Sequence, residues 1–571
     1  MPAAGQQGTG PQPAAEWWRG AAIYEVYLRS FADGGGDGVG DLAGLRSRLP
    51  YLAGLCVDAL WVTPWFPSPM ADAGYDVADY RDIDPVFGTL AEAEELIADA
   101  HAAGLRLVID LVPNHCSDAH PWFREALAAE PGDAVRELFW FRPGRGPGGD
   151  EPPNDWQSIF GGPAWTRTVA DDGTPGEWYL HLFAPEQPDF NWSSPKVREE
   201  FEDILRFWFD RGADGVRIDS AAVLMKEPTL SDWDGVEGPP GTHPFIDRDG
   251  VHDIYRAWRA VADSYPGGRV LIGELWLPDA ERFSAYLRPD ELHTAFNFPF
   301  LESAWDADRL RAAVDGTLAV HARVGAPATW VLCNHDGTRQ VTRYGRADTS
   351  WSLTHRQHGA PTDRELGTRR SRAAALLTMA LPGGVYVYQG DELGLPDVED
   401  IPDDRLQDPF WIRSGRTNRG RDGCRVPLPW SAGGTAFGFS PAGSGAEPWL
   451  PQPADWGELA ADRQRTDPGS MLALYRSALA LRRAEPALGD GPLRWLDAPA
   501  GVLAFARDAA AGPGLLCVLN LTDTEVVLPA HDGVLLASGP LSTDRLPADT
   551  AVWLRAPRSA PRDTPRPPRD A

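Results

Sequence analysis

Three short apolar stretches of this chain each end on an acidic residue, and this recurrence constrains the fold more than any other feature of the sequence. They occupy residues 211–219, 269–274 and 328–336 and end on Asp219, Glu274 and Asp336. In a (β/α)8 barrel, side chains at the carboxyl ends of different strands converge on one site. The pattern therefore predicts a barrel in which three carboxylates meet in one cleft.

The first stretch also pairs an arginine with its terminal acid. Residues 215–218 are predicted to form a strand, and Arg217 and Asp219 would share one face because side chains two apart in a strand do so. A neighbouring guanidinium keeps a carboxylate ionised, which suits a nucleophile. A purely structural ion pair is an equally open interpretation.

Strand and helix patterns alternate along much of the chain, as expected for parallel βαβ units. Strands are predicted at residues 22–28, 59–65, 105–112, 215–218, 270–273, 292–298, 329–333 and 384–388. Helices are predicted at residues 42–55, 90–103 and 471–484, and a further helix begins with Ser194 as N-cap and Pro195 in its first position. The predicted fold class is therefore α/β, a (β/α)8 TIM barrel.

Two regions break this alternation. Residues 114–186 are rich in Gly, Pro and aromatic side chains and predict an inserted lobe after the third strand. Alternating apolar residues later in the chain predict a C-terminal antiparallel β domain over residues 491–557. The barrel would then comprise residues 17–113 and 187–490, and the Pro- and Arg-rich residues 558–571 would form a disordered tail.

Charge and cysteine content restrict the partners and the compartment. The formal net charge of −29 argues against nucleic acid and anionic membranes as partners, because both require a basic surface. The five cysteines are few and widely spaced, so neither a disulfide framework nor a zinc site is indicated. Neither a secretory signal pattern nor an apolar stretch of membrane-spanning length is present. A soluble, cytoplasmic protein is expected, and its oligomeric state is left open.

A glycine-rich loop after the first predicted strand places acidic residues at every fourth position, Asp33, Asp37 and Asp41. Together with the carbonyl oxygen of Val39, these carboxylates could surround a hard cation such as Ca²⁺. The bidentate Glu that ends an EF-hand loop is missing. A structural calcium site and a plain turn are both compatible with this loop.

The chemistry that suits paired carboxyl groups is glycoside cleavage, in which one acts as nucleophile or base and the other as proton donor. Phosphoryl transfer would require a phosphate cradle, and the chain has no Gly-x-x-x-x-Gly-Lys-Ser/Thr motif. No organic cofactor is indicated. The 23 tryptophans could supply flat surfaces for sugar rings, although most are expected in the core.

Four motifs resemble, in order and separation, the signature regions of the α-amylase superfamily, glycoside hydrolase family 13. They are Asp110-Leu-Val-Pro-Asn114-His115, Gly215-Val-Arg217-Ile-Asp219, Gly273-Glu274-Leu-Trp276 and Asn334-His335-Asp336. A fifth, auxiliary region is resembled by residues 187–192. Four further segments resemble the α-glucosidase and oligo-1,6-glucosidase branch of that superfamily, namely residues 24–31, 73–80, 160–162 and 421–427. The resemblance extends over roughly residues 17–529.

This resemblance implies a role for each matching residue. Asp219 would be the nucleophile, Glu274 the general acid/base, and Asp336 a third carboxylate that binds sugar hydroxyls. Residues implied to bind the terminal glucose are His115, Arg217 and His335, with Tyr75 stacking on the ring, Asp72 and Arg421 closing the far end of the pocket, and Phe160 and Phe183 in its wall.

The implied activity is that of an exo-acting α-glucosidase, which releases glucose from the non-reducing end of a small oligosaccharide. Its two-step displacement would retain the anomeric configuration and would require the two carboxylates about 5 to 5.5 Å apart. Two positions depart from the family pattern. Gly35 stands where the family usually has an Asn ligand, which weakens the calcium prediction. Ser220 stands where 1,6-preferring enzymes usually have Val, which favours α-1,4 links.

Two other functions occur on similar scaffolds. A transglycosylase, or an isomerase such as a trehalose or isomaltulose synthase, would use the same covalent intermediate with a sugar in place of water. Superfamily members that serve as transporter subunits lose catalytic acids, whereas this chain keeps Asp219, Glu274 and Asp336. An α-glucosidase is therefore expected, with the transglycosylase or isomerase as its alternative.

Overall fold

The computed structural model describes residues 14–557 except 171, 234, 236, 237, 354, 435, 510 and 511. The predicted disordered tail, residues 558–571, lies outside the described residues. The strands are β1 Ala22–Val26, β2 Ala59–Val62, β3 Arg106–Leu111, β4 Phe141–Arg142, β5 Trp165–Val169, β6 Pro175–Leu180, β7 Gly215–Ile218, β8 Val270–Gly273, β9 Thr294–Ala295, β10 Thr329–Trp330, β11 Gly384–Tyr388, β12 Leu493–Trp495, β13 Val502–Arg507, β14 Leu515–Asn520, β15 Val526–Val527, β16 Gly533–Ala537, β17 Arg545–Leu546 and β18 Thr550–Arg555.

The α-helices connect and cover these strands. They are α1 Leu42–Ser47, α2 Leu49–Leu55, α3 Leu90–Ala102, α4 Pro121–Ala128, α5 Pro195–Asp210, α6 Val251–Asp263, α7 Ala280–Ala285, α8 Phe298–Glu302, α9 Ala307–Val324, α10 Gln340–Tyr344, α11 Arg364–Ala380, α12 Pro409–Arg413, α13 Ala461–Gln464 and α14 Met471–Ala484. Short 3₁₀ helices lie at Ala14–Gly20, Leu28–Ser30, Arg136–Leu138, Asp391–Leu393, Asp422–Cys424 and Ala454–Leu459.

The eight predicted strands form one sheet in the order β10-β11-β1-β2-β3-β7-β8-β9. Every neighbouring pair in this sheet is parallel. The two edge strands are joined by a side chain, because the Thr329 hydroxyl of β10 donates a hydrogen bond to the Ala295 carbonyl of β9. The sheet is therefore a nearly closed barrel, which confirms the predicted (β/α)8 fold.

Alternation along the strands separates the interior of the barrel from its helical coat, as the two-residue period of a strand requires. Ile23, Trp61, Val108, Ile272 and Tyr386 pack together in one buried cluster. Their chain neighbours Tyr24, Leu60, Leu107, Leu271 and Val387 belong to the larger cluster that includes the helices. The same register places Asp110 of β3 opposite Arg217 of β7, so both polar side chains belong to the inner face near the carboxyl ends of the strands.

Some local predictions were wrong. The single helix predicted at residues 42–55 is two helices, and Pro50, whose nitrogen has no hydrogen to donate, lies in the first turn of the second. Ser194 does occupy the N-cap position of α5, but its side chain makes no capping hydrogen bond. The predicted strand at residues 292–298 is limited to β9, because Asn297 caps the N-terminus of α8 with its side chain.

The inserted region and the C-terminal region carry their own sheets. Strands β4, β6 and β5 form an antiparallel sheet between β3 and β7. After α14, strands β12, β13, β14, β18 and β16 form a five-stranded antiparallel sheet, and β15 pairs with β17. The predicted antiparallel character of the C-terminal region is confirmed, and β16, β17 and β18 lie within the predicted residues 491–557. The exact domain boundaries stay predictions.

Within the described residues, no helix is both long enough and apolar enough to span a membrane. The cytoplasmic location stays a prediction.

Candidate active site

A cavity of about 260 Å³ opens at the carboxyl ends of the barrel strands. This volume lies below the roughly 300–1,000 Å³ of most small-molecule pockets, so it suits a single sugar ring better than a chain. Ten of the predicted site residues line it, namely Asp72, Tyr75, His115, Phe160, Phe183, Asp219, Glu274, His335, Asp336 and Arg421. Asp219 directly follows β7 and Glu274 directly follows β8, so the ends of these two strands fix the backbone positions of both residues.

Arg217 lies beneath the cavity instead of in its wall. Its Nη1 donates to Asp219 Oδ1 at 2.9 Å and to Asp110 Oδ1 at 2.8 Å, and its Nη2 donates to Glu274 Oε2 at 2.6 Å. The side chain is buried. One guanidinium therefore holds the predicted nucleophile and the predicted acid/base next to each other, and contact of Arg217 with the terminal glucose stays a prediction.

One end of the cavity is closed by a cluster of ions around Arg421. Its Nη2 donates to Asp72 Oδ1 at 2.6 Å, its Nη1 to Asp336 Oδ1 at 3.2 Å, and its Nε to Asp408 Oδ2 at 2.6 Å. Arg425 adds a further contact of 2.8 Å to Asp336 Oδ1. The structure thus brings Asp72 and Arg421 together as the pair that sequence resemblance implied, and it places Asp336 beside them.

A buried hydrogen-bonded chain supports the floor of the cavity. Glu25 Oε1 lies 2.5 Å from His335 Nδ1, and His335 Nε2 lies 2.8 Å from the Tyr75 hydroxyl. Tyr75 donates to Asp110 Oδ2 at 3.0 Å, and its ring stacks on that of His335. Burial raises the pKa of Glu25 and lowers the pKa of His335, which favours the neutral form of each. The contacts with His335 and Asp110 therefore hold the Tyr75 ring in place where it lines the cavity.

His115 is held in one tautomer by its neighbours. Lys226 Nζ donates to Asn114 Oδ1 at 2.5 Å, which directs the Asn114 amide nitrogen towards His115 Nδ1 at 3.1 Å. The opposite nitrogen, Nε2, then carries the proton and donates to the Tyr75 carbonyl at 3.0 Å. Burial lowers the pKa of His115 to about 4, so the ring is neutral near pH 7.

The two aspartates of the site are in different electrostatic environments. Burial by itself would raise the pKa of Asp336, but the Arg421 and Arg425 guanidiniums hold that pKa well below its usual range. Burial also raises the pKa of Asp219, and here the rise exceeds the lowering by Arg217. The expectation that Arg217 keeps Asp219 ionised considered the arginine without the desolvation that opposes it, and the charge of Asp219 stays a prediction.

Glu274 accepts three hydrogen bonds that fix both of its oxygens. Oε2 accepts from Arg217 and, at 3.0 Å, from the backbone N–H of Ser220, whereas Oε1 accepts from the indole N–H of Trp276 at 2.9 Å. The Trp276 ring is in turn stacked on Phe298, with 3.5 Å between ring centroids. Trp276 thus directs one oxygen of the predicted acid/base, and we assign it a positioning role.

We expect Trp276→Phe to lower kcat on maltose about 10- to 100-fold, because a hydrogen bond to a charged group contributes about 1.5–3 kcal/mol. The phenyl ring can still stack on Phe298, so KM should change little. Hydrolysis of p-nitrophenyl α-glucoside should fall less, because its leaving group needs little protonation. Trp495→Phe, which removes an indole N–H donor from β12, is the control. Equal losses on both substrates would contradict the positioning role.

Aromatic side chains form part of the wall. Phe160 packs edge to face on Phe183 and on Phe410, with centroid distances of 5.5 and 4.9 Å. Phe183 also lies against the His115 ring. Phe160 and Phe183 are therefore placed in the wall as the resemblance implied, and Phe410 joins them.

The carboxylates of the predicted metal loop accept hydrogen bonds from backbone amides of the same segment. Asp33 accepts hydrogen bonds from the amides of Gly36 and Gly38, and Asp41 accepts from Gly34, Gly35 and Gly44. Asp37 accepts from the Val39 amide. Among the described residues, no group of three His, Cys, Asp or Glu side chains is arranged to hold a metal ion. The residues present do not favour Ca²⁺ here, and its binding stays a prediction.

Several supporting residues were not assigned roles from the sequence. Asp110, Trp276, Arg425 and Glu25 lie inside the motifs that carry the resemblance, so their location was a usable signal. Asp408 gave no such signal, because it lies outside those motifs and meets Arg421 only through the folding of the intervening loop.

Comparison with known proteins agrees with this geometry. Residues 25–491 match the family described as alpha amylase, catalytic domain. The chain is 36% identical over 90% of its length to a probable alpha-glucosidase of Rhizobium meliloti (strain 1021), covering 90% of that protein. It is 31% identical over 95% of its length to an oligo-1,6-glucosidase of Parageobacillus thermoglucosidasius, covering 97% of that protein. A crystal structure of an alpha-glucosyl transfer enzyme, XgtA, matches 95% of this chain and 99% of its own with a TM-score of 0.81 and 34% identity.

Proposed function

This chain belongs to the α-amylase family, glycoside hydrolase family 13, and we propose that it is an exo-acting α-glucosidase. It releases glucose from the non-reducing end of short α-glucosides with retention of configuration and prefers α-1,4 links. The observation that carries this proposal is the blind end of the cavity. Asp72 and Arg421, 2.6 Å apart, pair at one end of the cavity, whose whole volume is about 260 Å³, and this favours a substrate chain that enters by its end.

The chemistry follows from the positions of the two carboxyl groups. Asp219 attacks the anomeric carbon while Glu274 gives its proton to the departing oxygen, and the glucosyl group becomes esterified to Asp219. Glu274 then removes a proton from water, whose oxygen displaces Asp219 and yields α-glucose. Both carboxylates accept hydrogen bonds from Arg217, which supports the close spacing of a retaining pair.

Asp336 and the neutral histidines suit binding of the glucose hydroxyls. Asp336 remains ionised because Arg421 and Arg425 contact the same oxygen, so it accepts hydrogen bonds over the whole working pH range. The preference for α-1,4 links rests on Ser220, which lines the cavity directly after the nucleophile.

Transfer to a second sugar, as in a transglycosylase or an isomerase, is the alternative because it shares the glucosyl-enzyme intermediate. The 34% identity to an alpha-glucosyl transfer enzyme supports transfer as the second candidate function. In both activities the first step is identical, and they differ in whether water or a sugar hydroxyl attacks Asp219-bound glucose.

We expect fast release of glucose from maltose, slower release from isomaltose, and little from sucrose or trehalose. The four disaccharides should be incubated in parallel, with glucose and all products quantified by chromatography. Two glucose molecules per maltose consumed would support hydrolysis. Loss of a disaccharide without matching free glucose would favour the transglycosylase or isomerase, and no reaction with any of them would contradict both.

A further inference from the structure

The lining of the cavity changes in chemical character from its base to its opening. Among the lining residues that are at least nine-tenths buried, seven carry groups that form hydrogen bonds, namely Asp72, Tyr75, His115, Asp219, Glu274, His335 and Arg421, and four are apolar, namely Phe160, Ala222, Val223 and Phe410. The more exposed lining residues are mainly apolar, namely Ile159, Phe183, Ile246, Trp276 and Leu353, and we call these the mouth residues. Ile159 is 38% exposed, although it is a large aliphatic side chain.

The mouth residues come from separate segments that converge on the opening. Ile159 lies between β4 and β5, Ile246 between β7 and α6, Trp276 after β8, and Leu353 between α10 and α11. Three of them contact four buried clusters, with Ile246 against two, Trp276 against a third, and Leu353 against that third and a fourth. The apolar character of the opening is therefore produced by several loops together and not by a single side chain.

Polar groups at this level of the cavity are already engaged. Asp336 Oδ1 accepts from both Arg421 and Arg425, and the other oxygen of Asp336 is proposed above to bind the terminal glucose. The backbone N–H of Ser220 donates to Glu274. A second sugar ring in the opening would bring several hydroxyl groups that need partners, and an unsatisfied hydroxyl is costly.

We propose that the mouth residues select α-glucosides whose leaving group is an apolar alkyl or aryl group over those whose leaving group is a second sugar. This inference rests on the proposed function. The carbon–oxygen bond to the leaving group breaks as Asp219 bonds to the anomeric carbon, and the oxygen leaves as an alcohol with the proton of Glu274. Water then displaces Asp219 and returns a proton to Glu274. The preference among sugar leaving groups for α-1,4 links is unaffected.

The test measures kcat/KM for methyl, butyl and hexyl α-glucopyranoside and for maltose. The three alkyl substrates release primary alcohols of closely similar acidity, so any trend reports contact with the mouth and not leaving-group chemistry. Each buried methylene should raise kcat/KM about fourfold. Hexyl α-glucoside should therefore exceed methyl α-glucoside by about 60-fold if three methylenes are covered, and it should exceed maltose.

Variants locate the effect at the mouth. Leu353→Asn and Ile246→Asn should each lower the ratio of hexyl to methyl kcat/KM about fourfold or more. Leu127→Asn, at a 43% exposed leucine of α4 that does not line the cavity, is the matched control and should leave the ratio unchanged. A ratio measured within one protein is insensitive to the fraction of enzyme that is folded.

The possible failures are distinguishable. Glucose release from maltose and methyl α-glucoside with no rise along the alkyl series would overturn the inference and leave the proposed function standing. A rise that persists unchanged in both mouth variants would also overturn it. No glucose from any of the four substrates would contradict the proposed function itself.

Discussion

Asp219→Asn lowers kcat/KM on maltose by at least about 10⁴-fold, the loss typical of removing a catalytic nucleophile. The amide has nearly the same shape as the carboxylate, and its oxygen can still accept the hydrogen bond from Arg217. The fold should therefore be retained, because only the nucleophilic charge is removed. Initial rates of glucose release measure the effect, with circular dichroism as a check of folding.

Asp263→Asn is the control for this substitution, because Asp263 lies at the end of α6 with a side chain 58% exposed. It should retain the parent rate. The unsubstituted enzyme should also lose kcat/KM as the pH falls through a value above the usual aspartate range near 3.9, because burial raises the pKa of Asp219 and its protonated form cannot attack. Activity within tenfold of the parent in Asp219→Asn would exclude Asp219 as nucleophile.

Glu274→Gln removes the proton donor and should lower kcat on maltose about 10²- to 10⁴-fold, the usual range for general acid–base catalysis. The amide oxygen can keep the hydrogen bonds from Arg217 and the Ser220 backbone, whereas the amide nitrogen cannot accept from the Trp276 indole. With p-nitrophenyl α-glucoside the first step needs little acid, whereas the second step still needs a base. A stoichiometric burst of nitrophenol followed by slow turnover is therefore expected in stopped-flow measurements.

Glu281→Gln, at a side chain 85% exposed on α7, provides the control and should turn over at the parent rate without a burst of this kind. If Glu274→Gln lost activity on maltose and on the nitrophenyl substrate equally, with no burst, the acid/base role would be wrong.

The sequence was sufficient to predict the barrel and the convergence of its carboxylates, because both follow from strand ends. Asp219 and Glu274 directly follow β7 and β8, and parallel strands present their carboxyl ends at one edge of a barrel. The position of Arg217 beneath the cavity could not be predicted in the same way. It depends on the register that pairs β3 with β7 and places Asp110 beside it.

Contacts between distant loops were the least accessible to prediction. Asp408 and Arg421 meet inside a loop region, and Glu25 reaches His335 across the barrel from a strand near the start of the chain. The environment of Asp219 was incompletely described for a related reason, because its burial is a property of the assembled site and acts against the adjacent arginine. The apolar mouth could not be predicted either, since its five residues come from five separated segments.

The most direct test of the central claim is the configuration of the glucosyl azide formed when azide restores activity to two variants. In Asp219→Gly, azide should replace the missing carboxylate, attack p-nitrophenyl α-glucoside directly and give β-glucosyl azide. In Glu274→Ala, azide should attack the β-linked glucosyl ester of Asp219 and give α-glucosyl azide. The account predicts these opposite anomers by NMR, and the same anomer from both variants, or the reverse assignment, would contradict it.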